Sequence, residues 1–343
     1  MKKNIKNNVS LILIFNILIL LLFSNSYTIV NAQSTKIPIK LGITLWVPNF
    51  LAYIAQEKGY FKKNNVEVNM TLLQNYGNVV NNYSNGEFDG IFTVYSDAII
   101  QHSTGIDTKV VYNVDSSFKA DAIVGKGNNL SDVKGKKIGV DGINSFSHFF
   151  VLKSLENAGL EEGDVQFVNV PAQNTSQALQ KDQIFAGHTY APFLSDALKK
   201  GYKILSTGAT IPGIITNVMA FHSSIVEQRP QDIQNIIRSM DEAKADYDKN
   251  KDQDIAIMSL KSGLSKAEII EGMENAKIFD LNYNHQTSMN KNSNQTSSLY
   301  VSGNYIAKFY AERGVISEYP NIDEIVDSKF VDALLKGNSS MVS

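Results

Sequence analysis

The sequence predicts an α/β fold in two lobes, and three features carry that expectation. At 343 residues the chain exceeds the length at which one core usually stops growing. From Ile39 onward short apolar runs alternate with amphipathic helical stretches, the signature of strands covered by helices. At Lys137 a second series of the same kind begins, and beyond Lys251 the pattern is helical apart from the polar loop Asn284–Ser297.

In the first series a strand is expected at Ile39–Thr44, then a helix around Phe50–Tyr60 and a strand at Val66–Leu72. A helix near Val79–Ser84 ends at the turn Asn85-Gly86, and a strand follows at Phe88–Val94. Ser96 and Asp97 favour the next helix start, and strands follow at Lys109–Asn113 and Asp121–Val124. Short turns between such units imply an open, mostly parallel sheet. The second series reads as strand Lys137–Val140, helix 146–158, strand Val165–Val170, helix Thr175–Gln180, strand Ile184–His188, helix Phe193–Lys200 and strand Tyr202–Leu205. A strand Ile215–Phe221 then leads to a long helix from Pro230, with Ile233, Ile236, Ile237 and Met240 at helical spacing. The chain is expected to cross between lobes near Ala120–Gly125 and Thr216–Phe221. The resulting division is a targeting segment at 1–32, a first lobe of 36–122 with 220–343, and a second lobe of 123–219.

Composition narrows the function classes. A net charge of −2 gives no basic patch for nucleic acid. With no cysteine, disulfides, thiol catalysis and cysteine-ligated metals are excluded, as is a lipid anchor on cysteine. Lys2, Lys3 and Lys6 precede the apolar run Val9–Phe23, and Val30-Asn31-Ala32 supplies small residues for cleavage, which together read as an export signal. The domain is therefore expected outside the cytoplasm, touching the membrane only through that segment, whether cleaved or kept as an anchor. The histidines show no H-x-x-x-H spacing, so no metal is expected, and no phosphate loop or nucleophile elbow occurs.

Ligands of open α/β sheets bind beyond the carboxyl ends of strands, and the candidate site residues follow from that rule. Ser145, Ser147 and His148 cluster where a helix starts, and free backbone N–H groups there attract anions. The alternative for Ser145 is a plain helix cap. Trp46, the only tryptophan, follows the first strand with Asn49 and offers an aromatic wall, or else a packing role. Tyr95 and Ser96 follow a strand in the same way. Ser116 and Ser117 precede the first crossing, where Asp115 is expected to brace the hinge. Tyr190 and Phe193 would wall the second lobe.

Several segments in order resemble a known family: A-Y-I-A-Q-E-K-G-Y-F-K-K (52–63), N-G-E-F-D-G (85–90), D-S-S-F-K-A-D-A-I-V (115–124), L-S-D-V-K-G-K-K-I-G-V (130–140), N-S-F-S-H-F-F-V-L-K-S-L-E-N-A-G-L (144–160), Y-A-P-F-L-S-D-A-L (190–198) and I-P-G-I-I-T-N-V (211–218). The mature chain resembles the extracytoplasmic solute-binding proteins of ABC importers, in the nitrate/sulfonate/taurine group that shares its fold with thiamine-pyrimidine synthases. The resemblance implies a type II periplasmic-binding-protein-like fold with a hinge and an interlobe cleft. It implies a monomer that takes a small, anionic solute to a permease and its ATPase, with no cofactor. Departures from the family pattern stand at Asn144, Gly187, Tyr190 and Ala191, and they leave the solute open. The W-x-P-N element at Trp46–Asn49 keeps a thiamine-precursor pyrimidine or another planar heterocycle as the alternative. An enzyme of the synthase type is disfavoured, because that chemistry in the family needs a cysteine-rich cluster and a lysine-bound pyridoxal phosphate.

Overall fold

Short strands form two sheets, continuously buried at their centres and partly exposed at their edges, which a computed structural model describes for residues 37–337. The expected export signal lies outside those residues. The strands are β1 (Ile39–Thr44), β2 (Val68–Leu73), β3 (Gly90–Val94), β4 (Thr108–Ser117), β5 (Asp121–Gly125), β6 (Lys137–Val140), β7 (Gln166–Asn169), β8 (Ala186–Tyr190), β9 (Lys203–Thr207), β10 (Thr216–His222) and β11 (Ala276–Ile278). The first sheet runs β11-β4-β10-β3-β1-β2 and the second β7-β6-β8-β5-β9. Every residue of β3 and β5 is buried, as expected for strands covered on both faces. Among the described residues no helix is long and apolar enough to cross a membrane.

Two expectations need correction. The sheets are mixed rather than mostly parallel. β10 runs antiparallel to both β3 and β4, and β5 runs antiparallel to both β8 and β9. These are the strands next to the crossings, and a strand that arrives from the other sheet enters from the opposite end. The region beyond Lys251 also contains a strand, β11, antiparallel to β4. Three residues are too few for a period of two to show in sequence.

The long helix Pro230–Lys249 starts with proline at its first turn and buries Ile233, Ile236, Ile237, Met240 and Ala243 in the larger core. Gly90 sits where the Phe221 ring of β10 crosses β3, and a Cβ there would overlap that ring. Both groups are fully buried backbone and core, so neither can yield cheaply. Gly90→Ala should therefore lower stability by about 1–3 kcal/mol, read as an earlier urea midpoint with an unchanged slope. An unshifted midpoint would show that β3 and β10 can separate at this point.

Candidate functional site

The crossing strands carry the best-defined polar cluster. Asn217 of β10 lies opposite Asp115 of β4 in the register, and its Nδ2 donates to Asp115 Oδ1 at 3.0 Å. Trp46, just after β1, donates from Nε1 to Asp115 Oδ2, also at 3.0 Å. Asp115 is fully buried. Burial raises its carboxyl to about 7, opposed by the two hydrogen bonds and reinforced by the nearby charge of Asp121.

Above this cluster Thr44, Trp46, Tyr76, Val94, Asp121, Phe146, Tyr190, Ile215 and Asn217 line a cavity between the two sheets. The cavity is small, about 20 Å³. Its walls are aromatic. Trp46 meets Tyr190 edge-on with centroids 6.1 Å apart, and Tyr76 meets Phe146 edge-on at 5.4 Å. Each pair takes one ring from either lobe, so the cavity is closed by ring-to-ring contact.

Beside Thr44 and Asn217, the charged groups in and just behind its wall are acids. Asp121 Oδ1 lies 2.9 Å from Nε2 of the buried His188, while Asp121 Oδ2 has no hydrogen-bond partner among the described residues. Tyr76 donates to Asp97 Oδ2 at 2.5 Å and accepts from Val94 N at 3.0 Å. Burial raises Asp97 to about 6, opposed by Tyr76 and by the backbone N–H of Phe146. Phe146 opens the helix Phe146–Asn157, so the N-terminus of that helix already faces a carboxyl group from the other lobe. Asp141, at the end of β6, is also raised to about 6 by burial. No lysine or arginine lines the cavity.

At the cleft mouth, Phe149 stacks at a tilt on Phe309 with centroids 4.4 Å apart. Beside them Arg313 Nη1 donates to Glu162 Oε1 at 3.1 Å and Nη2 to Glu162 Oε2, with the guanidinium over the Phe309 ring. On the opposite rim Ser195 donates to Glu271 at 2.5 Å.

The expected site residues separate into distinct places. Trp46 and Tyr190 line the cavity, and Phe193 supports Tyr190 from behind at 5.5 Å. Ser145, Ser147 and His148 do not line it. Ser145 Oγ donates to the Gly142 carbonyl at 2.8 Å rather than capping the helix, and Ser147 Oγ accepts from Asp141 N at 2.9 Å. His148 Nδ1 accepts from Asn144 N at 3.1 Å and its ring packs edge-on against Phe167. Burial first, and then the charge of Arg313, lowers His148 to about 4, which leaves it neutral at physiological pH. Asn49 is buried under the first lobe, and Tyr95 donates to the Leu299 carbonyl with Ser96 buried beside it. Ser116 and Ser117 line a separate pocket. Sequence reasoning missed Tyr76, Asp121, Phe146 and Asn217. Tyr76 was reachable, because it follows β2 at its carboxyl end as Trp46 follows β1.

The buried carboxyls set a pH dependence. The unfolded chain releases the Asp115 proton near 3.8, whereas the folded chain holds it to about 7. Between those values the native state binds more protons, so stability is fully present below the lower value and falls as pH rises toward the upper one. Asp97 and Asp141 act in the same direction. Asp115→Asn should flatten part of that fall, measured by urea unfolding at pH of about 4.5 and about 7.5. Equal falls in variant and parent would mean that Asp115 is ionised throughout.

The family model described as NMT1/THI5 like matches residues 48–253. No curated protein matches the chain. Among solved structures it is similar to the periplasmic aliphatic sulphonate binding protein SsuA from Escherichia coli, at 19% identity and a TM-score of 0.68 over 84% of this chain and 96% of that one. The alkanesulfonate-binding protein SsuA from Xanthomonas axonopodis pv. citri, bound to MOPS, matches at 15% identity and a TM-score of 0.69 over 85% and 98%. The desulfurization enzyme DSZB matches at 13% identity and a TM-score of 0.62 over 87% and 99%. At such identities these likenesses speak to the fold, which binding proteins and an enzyme share. With two mixed sheets joined by two crossings and a family match across more than half its length, the chain belongs to the NMT1/THI5-like family and has the two-lobed fold of periplasmic binding proteins.

Proposed function

We propose that this protein is an extracytoplasmic solute-binding protein that captures a small planar heterocycle bearing N–H donors and passes it to an ABC permease and its ATPase. The observation that carries the reading is the cavity itself, in which aromatic rings from both lobes enclose Asp121 with one carboxylate oxygen unpartnered. Aromatic walls bury a planar ring at little entropy cost, and a carboxylate acceptor selects an amine over an anion. The thiamine-precursor pyrimidine, a ring with an exocyclic amine, has this chemistry. A ligand of that size needs more room than the closed cavity offers, so entry requires the lobes to part at the crossing strands.

A sulfonate is the ligand class of two similar solved structures, and nitrate and taurine come only from the family resemblance of the sequence. Against such a ligand stands a cavity lined by Asp121 and by no cation, with Asp97 behind Tyr76 and Asp115 behind Trp46. A binding protein is favoured over a synthase-type enzyme because the chain has no cysteine for the cysteine-rich cluster that chemistry needs in the family.

The test is a fluorescence titration of Trp46, the only tryptophan, with the aminopyrimidine, taurine and methanesulfonate. The aminopyrimidine should change the emission saturably, and Asp121→Asn should weaken it by about tenfold or more, as expected for loss of a charge-assisted hydrogen bond. Saturation by the sulfonates alone would replace the heterocycle with an anionic solute.

A further inference from the structure

Ser116 and Thr216, the neighbours of Asp115 and Asn217, pair with each other across β4 and β10 and line a pocket separate from the cavity. That pocket measures about 570 Å³, with Ser116, Ser117, Thr216 and Ser297 supplying hydroxyls and no carboxylate in its lining. Its cation is Lys277 of β11, which makes no ion pair among the described residues. The Lys277 ammonium instead lies 4.7 Å from the Tyr283 ring and 5.7 Å from the Phe279 ring, two rings stacked at 4.0 Å. Such contacts hold a lysine in place without neutralising it. A second, independent feature is Asn113, which is 1% exposed and also lines the pocket. Its Nδ2 donates to Ser288, while Oδ1 has no partner, and a buried acceptor left unpaired calls for a donor.

We propose that this pocket is a second ligand site, taking a small hydroxycarboxylate with its carboxylate against Lys277 and the serine and threonine hydroxyls and its O–H toward Asn113. The chemistry is the reverse of that in the cleft, cation and hydroxyls in place of acids and rings, so the two sites select different molecules. A neutral hydroxyl suits the far end better than an ammonium, which would stand in the field of Lys277.

The experiment is calorimetric titration of the full chain with 3-hydroxypropionate and with propionate, which lacks the donor. Saturable binding of 3-hydroxypropionate is expected, with propionate about fivefold weaker or worse, a loss of about one hydrogen bond. Lys277 is solvent-exposed, so Lys277→Ala should fold normally, checked by its melting curve, and should weaken binding by about tenfold or more, with Lys277→Arg restoring much of it. Asp121→Asn should leave this binding unchanged while it weakens the cleft ligand, which separates the two sites. Absence of saturable binding, equal affinity for propionate, or indifference to Lys277→Ala would each overturn the proposal. Loss of binding in Asp121→Asn would move the ligand to the cleft.

Discussion

The arrangement of the cleft depends on one buried carboxyl group. Asp115 sits on the strand that leaves the first sheet, and it accepts from Asn217 on the strand that returns and from Trp46 at the end of β1. A carboxyl group taken out of water without a cation is tolerated only when its oxygens are hydrogen-bonded. Both oxygens are satisfied only while the two crossing strands stay in register and the indole stays over them. The desolvation penalty thus becomes a positional constraint: it fixes the floor of the cleft and the plane of its main aromatic wall together.

The same economy of charge runs through the rest of the cleft. Asp97 is held by Tyr76 and by the N-terminus of the helix Phe146–Asn157 across the gap, and Asp121 is held by His188. Acids are thus hydrogen-bonded to a helix N-terminus, a hydroxyl and an imidazole instead of being paired with lysine or arginine. A helix N-terminus already answered by a protein carboxyl has little left to offer a free anion. This is why the strongest anion motif in the sequence and the most acidic part of the cleft turn out to be partners.

The strand and helix order was legible because core strands here are continuously apolar and helices such as Pro230–Lys249 keep a clear stripe. Strand direction was not legible. Nothing local in Asp121–Gly125 or Thr216–His222 records that these segments change sheets, and only pairing partners define parallel and antiparallel. Trp46 was found from its position after a strand, a rule of topology, and Tyr190 stands at the carboxyl end of β8. Ser145, Ser147 and His148 have the right chemistry, but both hydroxyls and the His148 Nδ1 are spent on Gly142, Asp141 and Asn144, and none of the three lines the cavity. Asp121 was hidden because its significance lies in His188, a strand away in space and 67 positions away in sequence.

The cleft mouth joins two kinds of contact, the Phe149–Phe309 rings and the Arg313–Glu162 ion pair. The ion pair is partly exposed, with Glu162 at 44% of its side-chain surface, so dissolved ions screen it over a Debye length of about 8 Å at physiological ionic strength. The ring contact has no such sensitivity, and kosmotropic salts strengthen it. The two contacts therefore respond in opposite senses to their surroundings: added salt weakens the charged one and leaves the ring contact as strong or stronger.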